Sequence, residues 1–275
     1  SGLTGAGRLA FAAATSTAGV KNIGFTYTAG AADLDFLRST DTLEVRYAIS
    51  VGDGSGTTVG QNVSISITGT NDAPTVTAIS GVTVDRNEDA SSYTVDLLAA
   101  ASAADKDASA SLSVANYGAT ADVGVIPEGA LSLSGNVLTV DPTKYNFLTS
   151  SQTRTLTVSY QVFDGTAYTD NTAVIVITGV NDVVTAVTVA TPMASVAEAA
   201  SAAEQLVTGA GSLDVSDLDL GDTLTVAKDT AALYLNGTLL TDASPYFARL
   251  SGLTGAGRLA FAAATSTAGV KNIGF

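Results

Sequence analysis

Aspartate is the residue type that recurs in this chain at spacings fit for chemistry. The segment VSDLDLGD (215–222) carries Asp217 and Asp219 two residues apart, with Asp222 close behind. On an extended segment the first two side chains project to one side. Oxygen ligands grouped this way suit hard cations, Ca²⁺ above all. Composition points the same way: Asp plus Glu number 26 against 12 Lys plus Arg, for a net charge of −14. Cys, His and Trp are absent. That excludes ordinary zinc, copper and haem sites, a histidine general base, and Ser-His-Asp or Cys-His nucleophiles. Paired carboxylates also serve glycosidases, but with no Trp and few aromatics there is no sign of a sugar cleft, and the chain is not read as an enzyme. The acidic balance argues against nucleic acid and against anionic membrane surfaces. The pieces Gly5–Gly7 and Gly209–Gly211 are too short for a phosphate loop. No apolar run reaches the length of a membrane span.

The elements that must position these acids are set out by repetition. Residues 251–275 repeat residues 1–25 letter for letter, which implies a tandem array with a 250-residue period. Exact arrays are built for length and repeated surface more than for catalysis. A second periodicity lies inside the first. TGTNDAPTV (68–76) and TGVNDVVTA (178–186) punctuate the chain in the same way, each after an alternating strand. Asn71 to Asn181 is 110 residues, and Asn181 to the next expected copy of Asn71 is 140. Each period therefore holds a shorter and a longer domain. Residues 1–72 end a preceding longer domain, 73–182 form a complete shorter one, and 183–275 begin the next longer one.

Period-two strands are predicted at 43–51 (LEVRYAISV) and 155–163 (TLTVSYQVF), with shorter ones at 94–98, 136–140 and 222–226. Turns such as GDGSG (52–56), LSGN (133–136) and FDGT (163–166) separate them. The pattern predicts an all-β chain of antiparallel sandwiches. The Ala- and Glu-rich segment 193–207 reads as helix by propensity. Its position matches the strand-bearing segment 84–98, so strand is preferred for much of it, with room for a helical turn near Ala199–Glu204.

GTNDAP, then NEDASSYTVDLLA, AADKDASASL, VSYQVFDG and VIVITGVND, in that order, resemble a VCBS or cadherin-like repeat of large bacterial surface proteins, including RTX-type adhesins. The resemblance covers all of 73–182 and continues through VAEAAS and VSDLDLGDTLTV. It implies tandem immunoglobulin-like (cadherin-like) antiparallel β-sandwiches, extracellular display, and export by a type I secretion system. It also implies Ca²⁺ between consecutive domains, in two sets carried over motif by motif. The first, near Asn71, comprises Asp53, Asn71, Asp72, Glu88, Asp105 and Asp107. The second, near Asn181, comprises Asp164, Asn181, Asp182, Glu198, Asp217, Asp219 and Asp222. Ala103 stands where an acid is common in the first set, so the second is expected to bind more tightly. At the second linker, NDVV has lost the Ala-Pro pair.

The function expected is a secreted or cell-surface filament, adhesin stalk or sheath. Its partners would be adjacent repeats, with lateral self-association or another cell surface beyond them. The alternative is a glycan- or ligand-binding module using the extra residues of the longer domain, around Leu233–Ala264.

Overall fold

The computed structural model describes residues 2–5, 7–81, 84–192, 195, 197–200, 207–227, 231–244, 250, 253, 259, 261, 265–267 and 270–274. Strands dominate it, as the alternation requires. Among the described residues no helix is long and apolar enough to cross a membrane.

The first stretch opens with four short strands: β1 (Leu9–Phe11), β2 (Thr15–Thr17), β3 (Val20–Asn22) and β4 (Phe25–Tyr27). β1 pairs with β4 and β2 with β3, both antiparallel. The longer β5 (Thr42–Gly52) and β6 (Thr58–Thr68) form a hairpin with Thr42 opposite Thr68 and Gly52 opposite Thr58. Alternation places Leu43, Val45, Tyr47, Ile49 and Val51 on one face of β5. Of these Val45 is buried, Leu43, Tyr47 and Ile49 are half-buried and Val51 is exposed.

Residues 73–182 carry the developed core. Here β7 (Arg86–Asn87), β8 (Tyr93–Asp96), β9 (Ser113–Ala121), β10 (Leu131–Ser134), β11 (Val137–Val140), β12 (Thr153–Phe163) and β13 (Tyr168–Thr178) make two sheets. One has the order β7-β13-β12-β9 and the other β10-β11-β8. Leu156, Val158, Tyr160 and Val162 of β12, with Ala173, Ile175 and Ile177 of β13, meet Val95, Leu138 and Val140 of the other sheet in one core. Each fully buried aliphatic side chain there contributes about 1.5–3 kcal/mol of transfer energy. β12 and β13 pair over eleven residues each, from Thr153 opposite Thr178 to Phe163 opposite Tyr168. The strand expected at 94–98 stops early. Asp96 accepts hydrogen bonds from the Leu98 and Ala99 N–H groups, and this cap starts a helical turn at Leu97–Ala100.

β6 and β13 end in the same way. The N–H of Gly69 donates to Asp41 O (3.0 Å) and that of Gly179 to Gln152 O (2.9 Å). A Cβ would sit 2.3 Å from Arg38 O at Gly69 and 2.1 Å from Thr149 O at Gly179, so only glycine fits.

The third stretch holds β14 (Ala186–Thr191), β15 (Ser212–Ser216), β16 (Tyr234–Leu235), β17 (Thr238–Leu239), β18 (Thr265–Thr267) and β19 (Val270–Gly274). Four of them form a sheet of order β14-β15-β19-β18, and β16 pairs with β17. The strand expected at 222–226 does not form: residues 222–227 have no ladder. Alternation prepares a strand, but a neighbour must take its hydrogen bonds. Residues 201–206, most of the place allowed for a helical turn, lie outside the described residues. So do 245–249, 251–252, 254–258, 260 and 262–264 of the Leu233–Ala264 insert.

Candidate metal centre

Two acidic groups are built on one plan. At the first, the Asn71 amide donates to Asp72 O (2.8 Å), the Asp72 N–H donates to Asp107 Oδ2 (3.1 Å), and the Asp107 N–H donates to Asp105 Oδ1 (2.8 Å). At the second, the Asn181 amide donates to Asp182 O (2.9 Å), the Asp182 N–H to Asp219 Oδ2 (2.8 Å), and the Asp219 N–H to Asp217 Oδ1 (3.2 Å). The surroundings repeat as well. The Thr75 N–H donates to Ala104 O (2.7 Å) and the Thr185 N–H to Ser216 O (2.9 Å). The Ala108 N–H reaches Phe36 O (3.0 Å) and the Leu220 N–H reaches Phe147 O (3.2 Å), so each acidic loop leans on the Phe-Leu turn that precedes β5 or β12.

The groups differ in their third element. Glu88 follows β7, which runs parallel to the end of β13 with Ile177 opposite Arg86. This delivers its fully buried carboxylate to the second group, where it accepts from Val180 N–H (2.7 Å) and Leu148 N–H (3.2 Å). Oxygen atoms of Glu88, Asp182 and Asp219 lie within 4.8 Å of one another, as do those of Asp217, Asp219 and Asp222. Both sets could hold a metal ion. The second already faces a cation: buried Lys271 on β19 donates to Asp217 Oδ2 (3.1 Å) and Asp222 O (3.2 Å). None of the five ion pairs among the described residues involves Glu88, Asp182 or Asp219.

Among the described residues, four buried carboxylate oxygens have no hydrogen-bond partner: Asp105 Oδ2 and Asp107 Oδ1 in the first group, Asp182 Oδ2 and Asp219 Oδ1 in the second. A buried charged atom without a partner is costly unless a ligand or proton satisfies it. Burial pushes the Glu88, Asp182 and Asp219 carboxyls above the ordinary range, and neighbouring carboxylates push them further. Such a cluster takes up positive charge, and its all-oxygen donor set fits a hard divalent cation.

The structure thus joins the linker acids to the Asp105–Asp107 and Asp217–Asp219 pairs, and regroups the rest. Glu88 lies with the second group, not the first. Asp164 lies with the first, not the second: its Oδ2 accepts from the Asn71 amide (3.0 Å) and its Oδ1 from Thr166 N–H and Ala167 N–H. Burial raises its pKa, but those donors outweigh burial and hold it below the usual range. The reason is strand direction. An eleven-residue strand spans about 35 Å, so the turn after β12 returns to the end where the chain enters, although Asp164 stands close to Asn181 in sequence. Asp53 occupies the corresponding turn after β5, bonded to Ser55 and exposed, with all of β6 between it and Asn71. Glu198 is exposed and joins neither group. Lys271 was missed. Its signal was the repeat itself, since a residue of the copied segment can enter a different environment in its second copy.

No known protein-family model matches the chain, and a search of curated proteins finds no relative.

Proposed function

We propose that this chain is a structural segment of a secreted or cell-surface bacterial filament or adhesin. It is made of tandem immunoglobulin-like, cadherin-like sandwiches stiffened by Ca²⁺ where consecutive units meet. One observation carries the reading: the same hydrogen-bonded arrangement of linker Asn-Asp and loop Asp-x-Asp, with unpartnered buried carboxylate oxygens, occurs twice. The exact 25-residue repeat adds the array. Glu88, Asp182 and Asp219 would hold the ion at the second group, with Asp217 and Asp222 beside them. Asp72, Asp105 and Asp107 would form the weaker group, which lacks a counterpart of Glu88 in this chain. No reaction is assigned to these residues.

The chemistry supplied by the ion is charge neutralisation. Without it, converging carboxylates repel and the linkers hinge. With it, linker and loop are tied to one centre. Extracellular Ca²⁺ modules bind at about 10⁻⁴–10⁻³ M, and a site at roughly ten times its Kd adds about 1.4 kcal/mol. The test is thermal unfolding of the full chain in millimolar Ca²⁺ and in chelator. A rise of several degrees in Ca²⁺ is expected. An unchanged melting temperature would reduce the acids to turn residues and leave a metal-independent filament.

A further inference from the structure

Lys271 stands where a lysine is rarely found. On β19 it shares a face with Ile273, and it lies opposite Val215 of β15. Lys271 and Ile273 are each 2% exposed and Val215 4%. A lysine on such a face is costly unless its ammonium is paired. Its stem covers apolar surface while the charged head reaches the acidic loop after β15. There Nζ donates to Asp217 Oδ2 (3.1 Å) and to Asp222 O (3.2 Å). Oxygen atoms of Asp217, Asp219 and Asp222 lie within 4.8 Å of one another, so the ammonium meets a set that could hold a metal ion.

The two acidic groups share a plan, so their Asp-x-Asp pairs compare atom by atom. Asp105 Oδ1 takes the Asp107 N–H, as Asp217 Oδ1 takes the Asp219 N–H. Asp107 Oδ2 takes the Asp72 N–H, as Asp219 Oδ2 takes the Asp182 N–H. Asp107 Oδ1 and Asp219 Oδ1 are both buried and, among the described residues, without a hydrogen-bond partner. The remaining oxygen differs. Asp105 Oδ2 is buried and has no partner among the described residues, whereas Asp217 Oδ2 holds the Lys271 ammonium. The lysine of the first loop does not take that place: Lys106 is exposed and pairs with Asp35 (2.6 Å).

We propose that the Lys271 ammonium is a built-in cation of the second group, standing at Asp217 in place of a divalent ion, and that its removal opens this position to one. The role deepens the reading of these groups as cation sites and rests on it. It leaves Glu88, Asp182 and Asp219 to a bound ion, while Asp217 and the Asp222 carbonyl are held without one. An ammonium on a covalent stem is not lost to a chelator. The loop of Asp217 to Asp222 therefore stays tied to β19 when Ca²⁺ is withdrawn, and the first loop has no such tether among the described residues. An ordinary buried ion pair behaves differently. Removing its cation strands a buried carboxylate, and added Ca²⁺ does not mend the loss. Where the lysine stands in for an ion, Ca²⁺ repairs its removal, because the stranded oxygens are ligands that suit it.

The test uses the full chain carrying Lys271→Met, which removes the charge, keeps an apolar stem and offers no oxygen to Ca²⁺. Lys106→Met makes the same charge change on the first loop. Ca²⁺ bound per chain is counted by equilibrium dialysis at saturation, and each protein is melted in chelator and in millimolar Ca²⁺. Lys271→Met is expected to bind one ion more than wild type. It should melt several degrees below wild type in chelator and recover most of that deficit in Ca²⁺. Lys106→Met should bind as many ions as wild type. An unchanged count for Lys271→Met overturns the proposal, as does a deficit equally large with and without Ca²⁺. So does a Lys271→Met chain that stays unfolded even in Ca²⁺, or an extra ion bound by Lys106→Met as well. The wild-type count tests the cation reading separately: wild type binding none, while Lys271→Met binds one, sinks that reading and supports the role of the lysine.

Discussion

Asp219 is the residue on which the site turns. It is fully buried, takes the Asp182 N–H on one oxygen and leaves the other without a partner. Replacing it by Asn keeps an acceptor for Asp182 and removes the charge. In Ca²⁺, Asp219→Asn should lose most of the metal-dependent rise in melting temperature, about 1–2 kcal/mol of linkage. In chelator the sign reverses with pH. The folded chain holds the Asp219 proton more tightly than the unfolded chain does, because its pKa is raised by burial first and by Asp222, Asp182 and Asp217 as well. The stability linked to that proton is present below the ordinary value of 3.8 and is lost as pH rises through the elevated one. Asn imitates the protonated acid. Wild type and Asp219→Asn should therefore melt together near pH 4 in chelator and separate toward pH 7, with wild type the less stable. Parallel curves across that range would show that Asp219 carries no such burden.

Among the elements, the long hairpins β5–β6 and β12–β13 set where every acid falls. Their exits need glycine because backbone carbonyls crowd the Cα: Thr149 O at Gly179 and Arg38 O at Gly69. Gly179→Ala should cost about 1–3 kcal/mol through forced backbone shifts. It should also weaken cation binding, since the next residue, Val180, donates to Glu88. A melt and a Ca²⁺ titration on the same variant read both effects, and an unperturbed titration would separate the exit from the site. Leu156→Ala, in the core of residues 73–182, should cost about 2–5 kcal/mol, whereas Val51→Ala on β5, at the position corresponding to Val162, should cost less because Val51 is 50% exposed. Equal losses would mean that Val51 is as closely packed as Leu156.

For the molecule as a whole, the two acidic groups sit at opposite ends of the 73–182 core, the first where the chain enters and the second where it leaves. Neutralising both should hold the chain straight. Small-angle X-ray scattering in Ca²⁺ should give a longer, narrower distance distribution than in chelator. An equally extended profile in chelator would sink the stiffening role while leaving the filament reading intact. Net charge of −14 opposes close contact between chains, so any self-association should strengthen with salt and with divalent cation.

Much of this was legible in the sequence because it is local or repetitive. Alternation marked β5, β12 and β11; the repeated Asn-Asp punctuation marked the ends of β6 and β13; and the spacing of Asp217 and Asp219 marked a grouping of carboxylates, whose counterpart at 105–107 came from the resemblance. Where local pattern competes with a cap or lacks a neighbour, it misled: Asp96 turns Leu97 and Leu98 into a helical turn, and residues 222–227 alternate without a ladder. Only the tertiary structure decided which acids meet. The resemblance, carried over motif by motif, placed Asp164 with Asn181 and Glu88 with Asn71, but antiparallel strands carry the chain from end to end, and the parallel contact of β7 with β13 delivers Glu88 to the far group. It also decided that one peptide, VKNIG, is exposed at residues 20–24 and docked at 270–274. Side-chain type and spacing are properties of the chain alone, whereas burial and pairing depend on which neighbour arrives.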